Sequence, residues 1–175
     1  MIFKGFKEKS NKKYLNNLLS KRQLSVVDNK IDSLGVILNI DETADFEKLR
    51  NLADYLKIRP NKLKIIAFSS GKINDLHTWD TCFGFKDFGW QGVVKNVELQ
   101  YFLDIEFDAL ISFYEEDVLE LKMLTAKSKA KFKIGVLQVD ERLNDLIIKT
   151  SLKEFNVFKS ELFKYLTILN KIKNE

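Results

Sequence analysis

Short apolar runs rich in β-forming residues alternate with stretches of helical spacing along most of the chain. Residues 33–40, SLGVILNI, are followed by apolar residues at intervals of three and four between Phe46 and Leu56. A second apolar run covers residues 64–69, and the helix before it should end ahead of Pro60, whose ring disfavours α geometry at the preceding residue. A strand, a helix and a second strand of this kind form a right-handed βαβ unit with parallel strands.

The same alternation continues along the chain and predicts five strands in all. The predicted strands are residues 33–40, 64–69, 109–114, 131–136 and 145–150. Further helices are predicted after Asn96 as N-cap, over residues 118–128, and from about Val157 to Lys173. We therefore expect a single three-layer α/β domain, Rossmann-like or flavodoxin-like, with a mostly parallel five-stranded sheet between helices. A strand order of 2-1-3-4-5 would define its ligand crevice.

The first 22 residues hold the unbalanced positive charge of the chain. They contain seven lysines and arginines and one acid, a charge of +6, whereas the rest of the chain sums to −2. Apolar residues at helical spacing from Asn11 to Arg22, with Ser10 as N-cap, predict a short basic amphipathic helix. The chain is therefore divided into a basic N-terminal arm, residues 1–23, and a single α/β domain, residues 24–175.

Charge concentrated in this way indicates a surface for an anionic partner. The residues expected to contact that partner are Lys12, Lys13, Lys21 and Arg22. Three kinds of partner remain open: an RNA-containing assembly, an acidic protein surface and an anionic lipid surface. The opposing interpretation is that Tyr14 and Leu18 dock the helix on the domain while its lysines only face solvent.

Polar residues follow the predicted strands at the edge where open parallel sheets bind ligands. The residues expected to line a cleft there are Asn39, Asp41, Ser69, Ser70, Tyr114, Glu115 and Asp117. With Glu42 and Glu116 this edge is acidic, so it would repel a phosphate unless a cation intervened. No GxGxxG or GxxxxGK[ST] loop occurs, which removes the usual support for nucleotide-dependent catalysis. Helix-start acids that complement helix dipoles are the simpler explanation of these carboxylates.

Two further features lie between the second and third predicted strands. Potential ligands or nucleophiles there are His77, Trp79, Asp80 and Cys82. Because the chain has a single His and a single Cys, zinc would lack its usual ligands, and no metal site is predicted. The second feature is an aromatic-glycine segment, residues 83–90, with the sequence FGFKDFGW. Its rings are expected either to fill a satellite core or to stack on a base or a partner peptide.

Two resemblances to known families are carried by longer stretches. Residues 107–149 contain FDALISF, LTAKSKAKFKIG and LNDLIIK in this order, and with NKLKIIAF and FKYLTILNKI they resemble a family of small uncharacterised bacterial proteins. That resemblance implies one compact domain and supplies no catalytic residue. Residues 107–136 are also similar to the first Rossmann-like half of heptosyltransferase-type glycosyltransferases, in which a D-L-I strand, a helix and an S-x-A-K-x-x-I-G turn also follow one another. Those enzymes hold the nucleotide-sugar mainly through a second domain, so this similarity implies shared α/β packing.

These observations favour a non-catalytic binding or assembly module that engages an anionic partner through its basic arm. The alternative is a small enzyme or ligand-binding domain with a site at the C-terminal ends of the strands. No cofactor is predicted. A single cysteine excludes an internal disulfide and agrees with a reducing compartment, so we expect a cytoplasmic protein. No apolar run approaches the roughly 20 residues that cross a bilayer, so integral membrane insertion is not expected.

Overall fold

The computed structural model describes residues 2–24, 28–71, 81–137 and 140–173. Its strands are β1 (Leu34–Asn39), β2 (Leu63–Phe68), β3 (Thr81–Phe83), β4 (Ala109–Phe113), β5 (Lys133–Val136) and β6 (Leu146–Ile148). They form one sheet in the order β3-β2-β1-β4-β5-β6, and every neighbouring pair is parallel. The central strands β1 and β4 are buried at every residue, as expected for a parallel sheet covered on both faces.

Helices cover both faces of this sheet. They are α1 (Ile2–Ser20), α2 (Phe46–Tyr55), α3 (Val97–Asp104), α4 (Leu119–Lys127) and α5 (Phe155–Ile168). Val36 and Leu38 of β1 pack with α2 and α5 on one face, whereas Ile37 packs with α1, α3 and α4 on the other. Successive side chains of a strand point to opposite faces, so this alternation produces three layers with a core on each side of the sheet.

The sheet has one strand more than the sequence predicts. β3 is a three-residue edge strand that pairs with β2, and it lies in a stretch without clear apolar periodicity. Three residues are too few to show the alternation that marks a strand, so the prediction of five strands is wrong. The five predicted strands are all present, in the order 2-1-3-4-5, with bounds within two residues of those predicted.

The N-terminal helix is longer than its predicted span. α1 begins at Ile2, and Ser10 lies inside it and is not its N-cap. Lysine, glutamate and phenylalanine are tolerated in helices, and Lys12 pairs with Glu8 one turn earlier at 2.6 Å. The apolar pattern that begins at Asn11 marks only the part of the helix that packs against the domain.

The last helix is shorter than predicted. α5 ends at Ile168, and Asn170 adopts a left-handed φ of 56°. The backbone N–H of Lys171 then donates to the carbonyl of Leu166 at 2.8 Å, which closes the helix. Lys173 therefore lies beyond the helix, where it pairs with Asp32.

Two local predictions at helix ends are confirmed. Asn96 caps α3, because its side-chain oxygen accepts hydrogen bonds from the N–H groups of Glu98 at 3.0 Å and Leu99 at 3.2 Å. α2 ends at Tyr55, ahead of Pro60, which opens a short 3₁₀ turn before β2.

Candidate functional site

The basic helix α1 is packed against the body of the domain. Leu15 and Leu19 are buried in the same core cluster as Leu121 and Leu124 of α4. Both leucines lie on one side of α1, one turn apart, because residues four positions apart share a helix face. The helix is therefore an integral layer of the fold, and one of its faces is committed to packing.

Asn11 attaches α1 to the end of the aromatic-glycine segment. Its buried side chain donates to the carbonyl of Gly89 at 3.0 Å and accepts from the N–H of Gly92 at 2.9 Å. Tyr14 covers the same turn, and the ammonium of Lys127 donates to its hydroxyl at 3.2 Å. Polar contacts of this kind fix the rotation of α1 about its axis as well as its position.

Arg22 is also committed to the body of the domain. Its guanidinium donates to the carbonyl of Arg142 at 2.9 Å and pairs with Asp145 at 2.6 Å. The side chains of Arg22 and Asp145 are only 16% and 11% exposed. This arginine was expected to contact an anionic partner, but the structure places it in an internal ion pair.

The lysines of α1, together with Lys21 just after its end, fall into two groups according to the side on which they lie. Three of them face a groove of about 490 Å³ beside α4: Lys4, Lys7 and Lys12. Acids line the same groove, and the ion pair with Glu8 raises the pKa of Lys12. Burial raises the pKa of Glu120 in this groove, while the charges of Lys7 and Lys4 oppose that shift. The positive charge on this side is largely balanced.

The remaining lysines are Lys9, Lys13 and Lys21, which we call the outward lysines. All three are exposed, and within the described ranges none has an acidic partner at ion-pair distance. Lys13 and Leu15 are two residues apart, about 200° around the helix, so Lys13 points away from the packed side. Of the four residues predicted to contact an anion, Lys13 and Lys21 are therefore exposed without an acidic partner among the described residues. Lys9, which was not among the four, has the same property.

The residues predicted to line a cleft at the C-terminal edge of the sheet form separate hydrogen-bonded groups. Asp41 accepts hydrogen bonds from the Ser69 hydroxyl at 2.9 Å and from the Ser70 N–H and hydroxyl at 2.7 and 2.6 Å. Partial burial alone would raise the pKa of Asp41, but the bonds from Ser70 and Ser69 outweigh it and lower the pKa. These three residues connect the loops after β1 and β2.

Glu42 closes the crevice between β1 and β4, where the direction of strand order reverses. Its carboxylate accepts from the N–H groups of Glu115 at 2.9 Å and Glu116 at 3.0 Å, and from the Asn39 amide at 3.0 Å. Burial raises the pKa of Glu42, although these hydrogen bonds oppose the shift. The backbone amides that could receive a ligand's anion are thus occupied by the chain's own carboxylate.

Tyr114, Glu115 and Asp117 lie near one another, but their polar groups are already engaged. The buried Tyr114 hydroxyl shares a 2.8 Å hydrogen bond with Thr125, and burial raises its pKa. Glu115 accepts from the backbone N–H of Leu152, and Asp117 pairs with Lys122. A cavity of about 460 Å³ adjoins them and is lined by Tyr114, Glu115, Glu116, Asp117, Lys122, Asp140, Glu141 and Leu143. Asp41 and Ser69 do not line this cavity.

The other sequence motifs are only partly described. His77, Trp79 and Asp80 lie outside the described residues, whereas Cys82 is half-buried on β3. Within the described part of the chain, no group of three or more His, Cys, Asp or Glu side chains could hold a metal ion. In the aromatic-glycine segment, Phe83 and Phe88 are buried core residues, whereas Phe85 and Trp90 are exposed. The segment thus serves both as core and as surface.

Comparisons with known proteins identify a family but no activity. A family model described as a family of unknown function, DUF6913, matches residues 7–169. The match includes most of α1, so the basic helix lies within the shared unit. No curated protein matches the chain. Among the described helices, none is both long enough and apolar enough to cross a membrane.

Proposed function

We propose that this chain, which belongs to the DUF6913 family of unknown function, is a binding module that engages an anionic partner through the outward lysines, on α1 and just after its end. The observation that carries the proposal is the division of charge on α1. Lys4, Lys7 and Lys12 face acids in the groove, whereas Lys9, Lys13 and Lys21 are exposed without an acidic partner among the described residues. Uncompensated charge on one side of a fixed helix attracts anions.

Attachment of α1 to the body supports this role. Asn11, Leu15 and Leu19 hold the helix in place before any partner arrives. Association through a preformed surface avoids the cost of ordering a flexible segment. The attraction is electrostatic, so the affinity should fall steeply as salt rises.

An RNA-containing assembly and an acidic protein both fit the charge of this surface. A cytoplasmic location belongs to the same proposal, as does a Rossmann-like relationship for the fold, which is favoured by the strand order 3-2-1-4-5-6. The same proposal includes α/β packing of residues 107–136 that is shared with heptosyltransferase-type enzymes.

Charge neutralisation at matched positions tests the proposal. One variant carries Lys9→Gln, Lys13→Gln and Lys21→Gln, and its control carries Lys86→Gln, Lys149→Gln and Lys153→Gln, which are exposed lysines elsewhere. Both variants change the formal net charge from +4 to +1, so only the position of the lost charge differs. Retention on immobilised heparin and capture of partners from lysate at low salt are measured for each.

We expect the α1 variant to bind heparin about tenfold more weakly than the control at low salt. Partners captured by the control should be missing from the α1 variant. Equal binding by the two variants would reject the outward lysines as the binding surface. Deletion of residues 1–22 is a poorer test, because it removes Leu15 and Leu19 from the core.

A second candidate function is favoured by the cavity of about 460 Å³ beside Tyr114. Its lining includes five carboxylates and one lysine, so a small cationic ligand fits it better than an anion. A thermal-shift screen of amines against wild type and an Asp117→Asn, Glu141→Gln variant tests this candidate. A shift that the variant abolishes supports ligand binding, whereas identical melting profiles with every amine remove it.

A further inference from the structure

Three large apolar side chains are exposed in the first two turns of α1. Ile2, Phe3 and Phe6 are 73%, 78% and 58% exposed. The sequence pattern predicts a helix only from Asn11 onward, so it does not predict any structure for these three residues. Because α1 begins at Ile2, they are held together at one end of a rigid helix. A cluster of this kind on a charged surface marks a site of interaction.

The apolar cluster continues along α1 into the outward lysines. Ile2, Phe6, Lys9 and Lys13 follow one another at intervals of four, three and four residues, which places them on one face of the helix. That face is turned away from Leu15 and Leu19, which are buried in the core. The exposed side of α1 therefore has an apolar end and a basic middle.

We propose that this face binds the surface of an anionic lipid bilayer. Ile2, Phe3 and Phe6 enter the boundary between headgroups and acyl chains, and Lys9 and Lys13 contact the anionic headgroups. The proposal rests on the proposed function, because the same lysines supply the attraction, and it names the partner. Basic helices with large apolar residues on one side bind membrane surfaces in this way, and each lysine near anionic lipid adds to the attraction.

Charge alone does not account for the apolar cluster. An RNA or a uniformly acidic protein surface would satisfy the lysines, but neither offers an apolar layer beneath its charges, which a bilayer does. Three side chains provide a small buried area, so we expect reversible binding. Residues 2–6 precede the part of the chain that matches the family model. Lipid binding through these residues is therefore proposed for this chain and not for the family.

Sedimentation of the full-length chain with vesicles tests the proposal. Vesicles of phosphatidylcholine alone are compared with vesicles that contain about 30% phosphatidylserine, at low salt. The apolar variant carries Phe3→Ser and Phe6→Ser, and its control carries Val97→Ser and Ile168→Ser, which removes two comparably exposed apolar side chains from other helices. Urea unfolding of all variants verifies that they are folded, and heparin binding is measured in parallel.

We expect the wild type and the control to sediment with the anionic vesicles and not with the neutral ones. The apolar variant should bind the anionic vesicles about tenfold less while keeping its affinity for heparin. Lys9→Gln with Lys13→Gln should lose both activities. An apolar variant that sediments like wild type overturns the lipid proposal.

The remaining outcomes separate this proposal from the proposed function. A wild type that binds heparin through the outward lysines but no vesicle rejects lipid and leaves the proposed function standing. Binding to neither heparin nor vesicles nor lysate partners rejects both. Dimerisation of the wild type but not of the apolar variant, without vesicle binding, assigns this face to a second copy and also overturns the lipid proposal.

Discussion

The ring of Tyr14 fills the space that a side chain at position 92 would need. A Cβ atom built on Gly92 would lie 2.2 Å from Cε1 of Tyr14, and Gly92 has a φ of 71°. Tyr14 belongs to α1, and Gly92 lies just after the aromatic-glycine segment. The position of the basic helix therefore depends on a glycine far away in the sequence.

The first prediction concerns this contact. Gly92→Ala should lower the free energy of unfolding by about 2–4 kcal/mol, because the methyl group collides with Tyr14 and the backbone is left-handed. Gly5→Ala is the matched control, since Gly5 lies within α1 and a Cβ there meets nothing within 4 Å. The control should gain about 0.5–1 kcal/mol from helix propensity. Urea unfolding measures both, and equal stabilities for the two variants would contradict the contact.

Asn11 gives a second prediction. Asn11→Ala should cost about 2–3 kcal/mol, because the carbonyl of Gly89 and the N–H of Gly92 lose their partner in a buried place. Asn11→Asp should also destabilise the fold, since a carboxylate can still accept from Gly92 but cannot donate to Gly89. The exposed Asn17→Ala serves as control and should stay within about 0.5 kcal/mol of wild type. If Asn11→Ala leaves the free energy of unfolding unchanged, the Gly89 carbonyl and the Gly92 N–H must find other hydrogen-bond partners.

The ion pair of Arg22 and Asp145 gives a third prediction. Arg22→Met should cost about 3 kcal/mol, because Asp145 would remain largely buried without its cation. A double-mutant cycle with Asp145→Asn should give a coupling energy of about 1–3 kcal/mol. Urea unfolding of the four proteins measures this coupling. A coupling energy near zero would show that Asp145 does not hold Arg22, which would then be available to bind a partner.

Lys133 gives a prediction about pH. Burial lowers the pKa of Lys133 from 10.5 to about 8, the charge of Arg22 lowers it as well, and Asp145 opposes the shift. The folded state thus holds this proton more weakly than the unfolded state. The resulting penalty is absent above pH 10.5, grows as the pH falls from 10.5 to about 8, and is constant at lower pH.

The variant Lys133→Met should therefore be more stable than wild type by about 2 kcal/mol near neutral pH. This gain already includes the loss of the hydrogen bond from the Lys133 ammonium to the carbonyl of Ala126. The advantage should shrink as the pH rises above about 8 and reverse above pH 10.5, where the wild-type lysine is neutral in both states and the variant lacks only its hydrogen bond. Urea unfolding across this range measures the difference, with the exposed Lys149→Met as control. A difference that does not change with pH would contradict the lowered pKa.

The sequence predicts the strands well because they are apolar and buried on both faces. β1 and β4 are buried at every residue, so their sequences are nearly continuous apolar runs. β3 has three residues and lies at the edge, which leaves too little pattern to detect. The sequence does not predict the start of α1 for a related reason: no side chain in its first two turns is buried, so burial imposes no period on the sequence there.

The candidate site shows the same limit. Asp41 and Ser69 are joined by a hydrogen bond, because each follows one of two neighbouring parallel strands. The pairing of Arg22 with Asp145 joins residues 123 positions apart, and no local pattern marks it. Glu42 was expected only to contribute acidity, since nothing in the sequence shows that backbone amides will bind its carboxylate. Patterns within one helix or strand can thus be recognised in the sequence, whereas side-chain contacts between elements far apart in the chain cannot.

Glu42 also has a bearing on how such a fold could acquire new chemistry. A phosphate arriving between β1 and β4 would meet a resident negative charge on the amides it needs. Any variant that gains nucleotide chemistry at this position must first replace that glutamate and repair the link between two loops. A cofactor with a phosphate would therefore need a different place on this fold for as long as Glu42 holds those two amides.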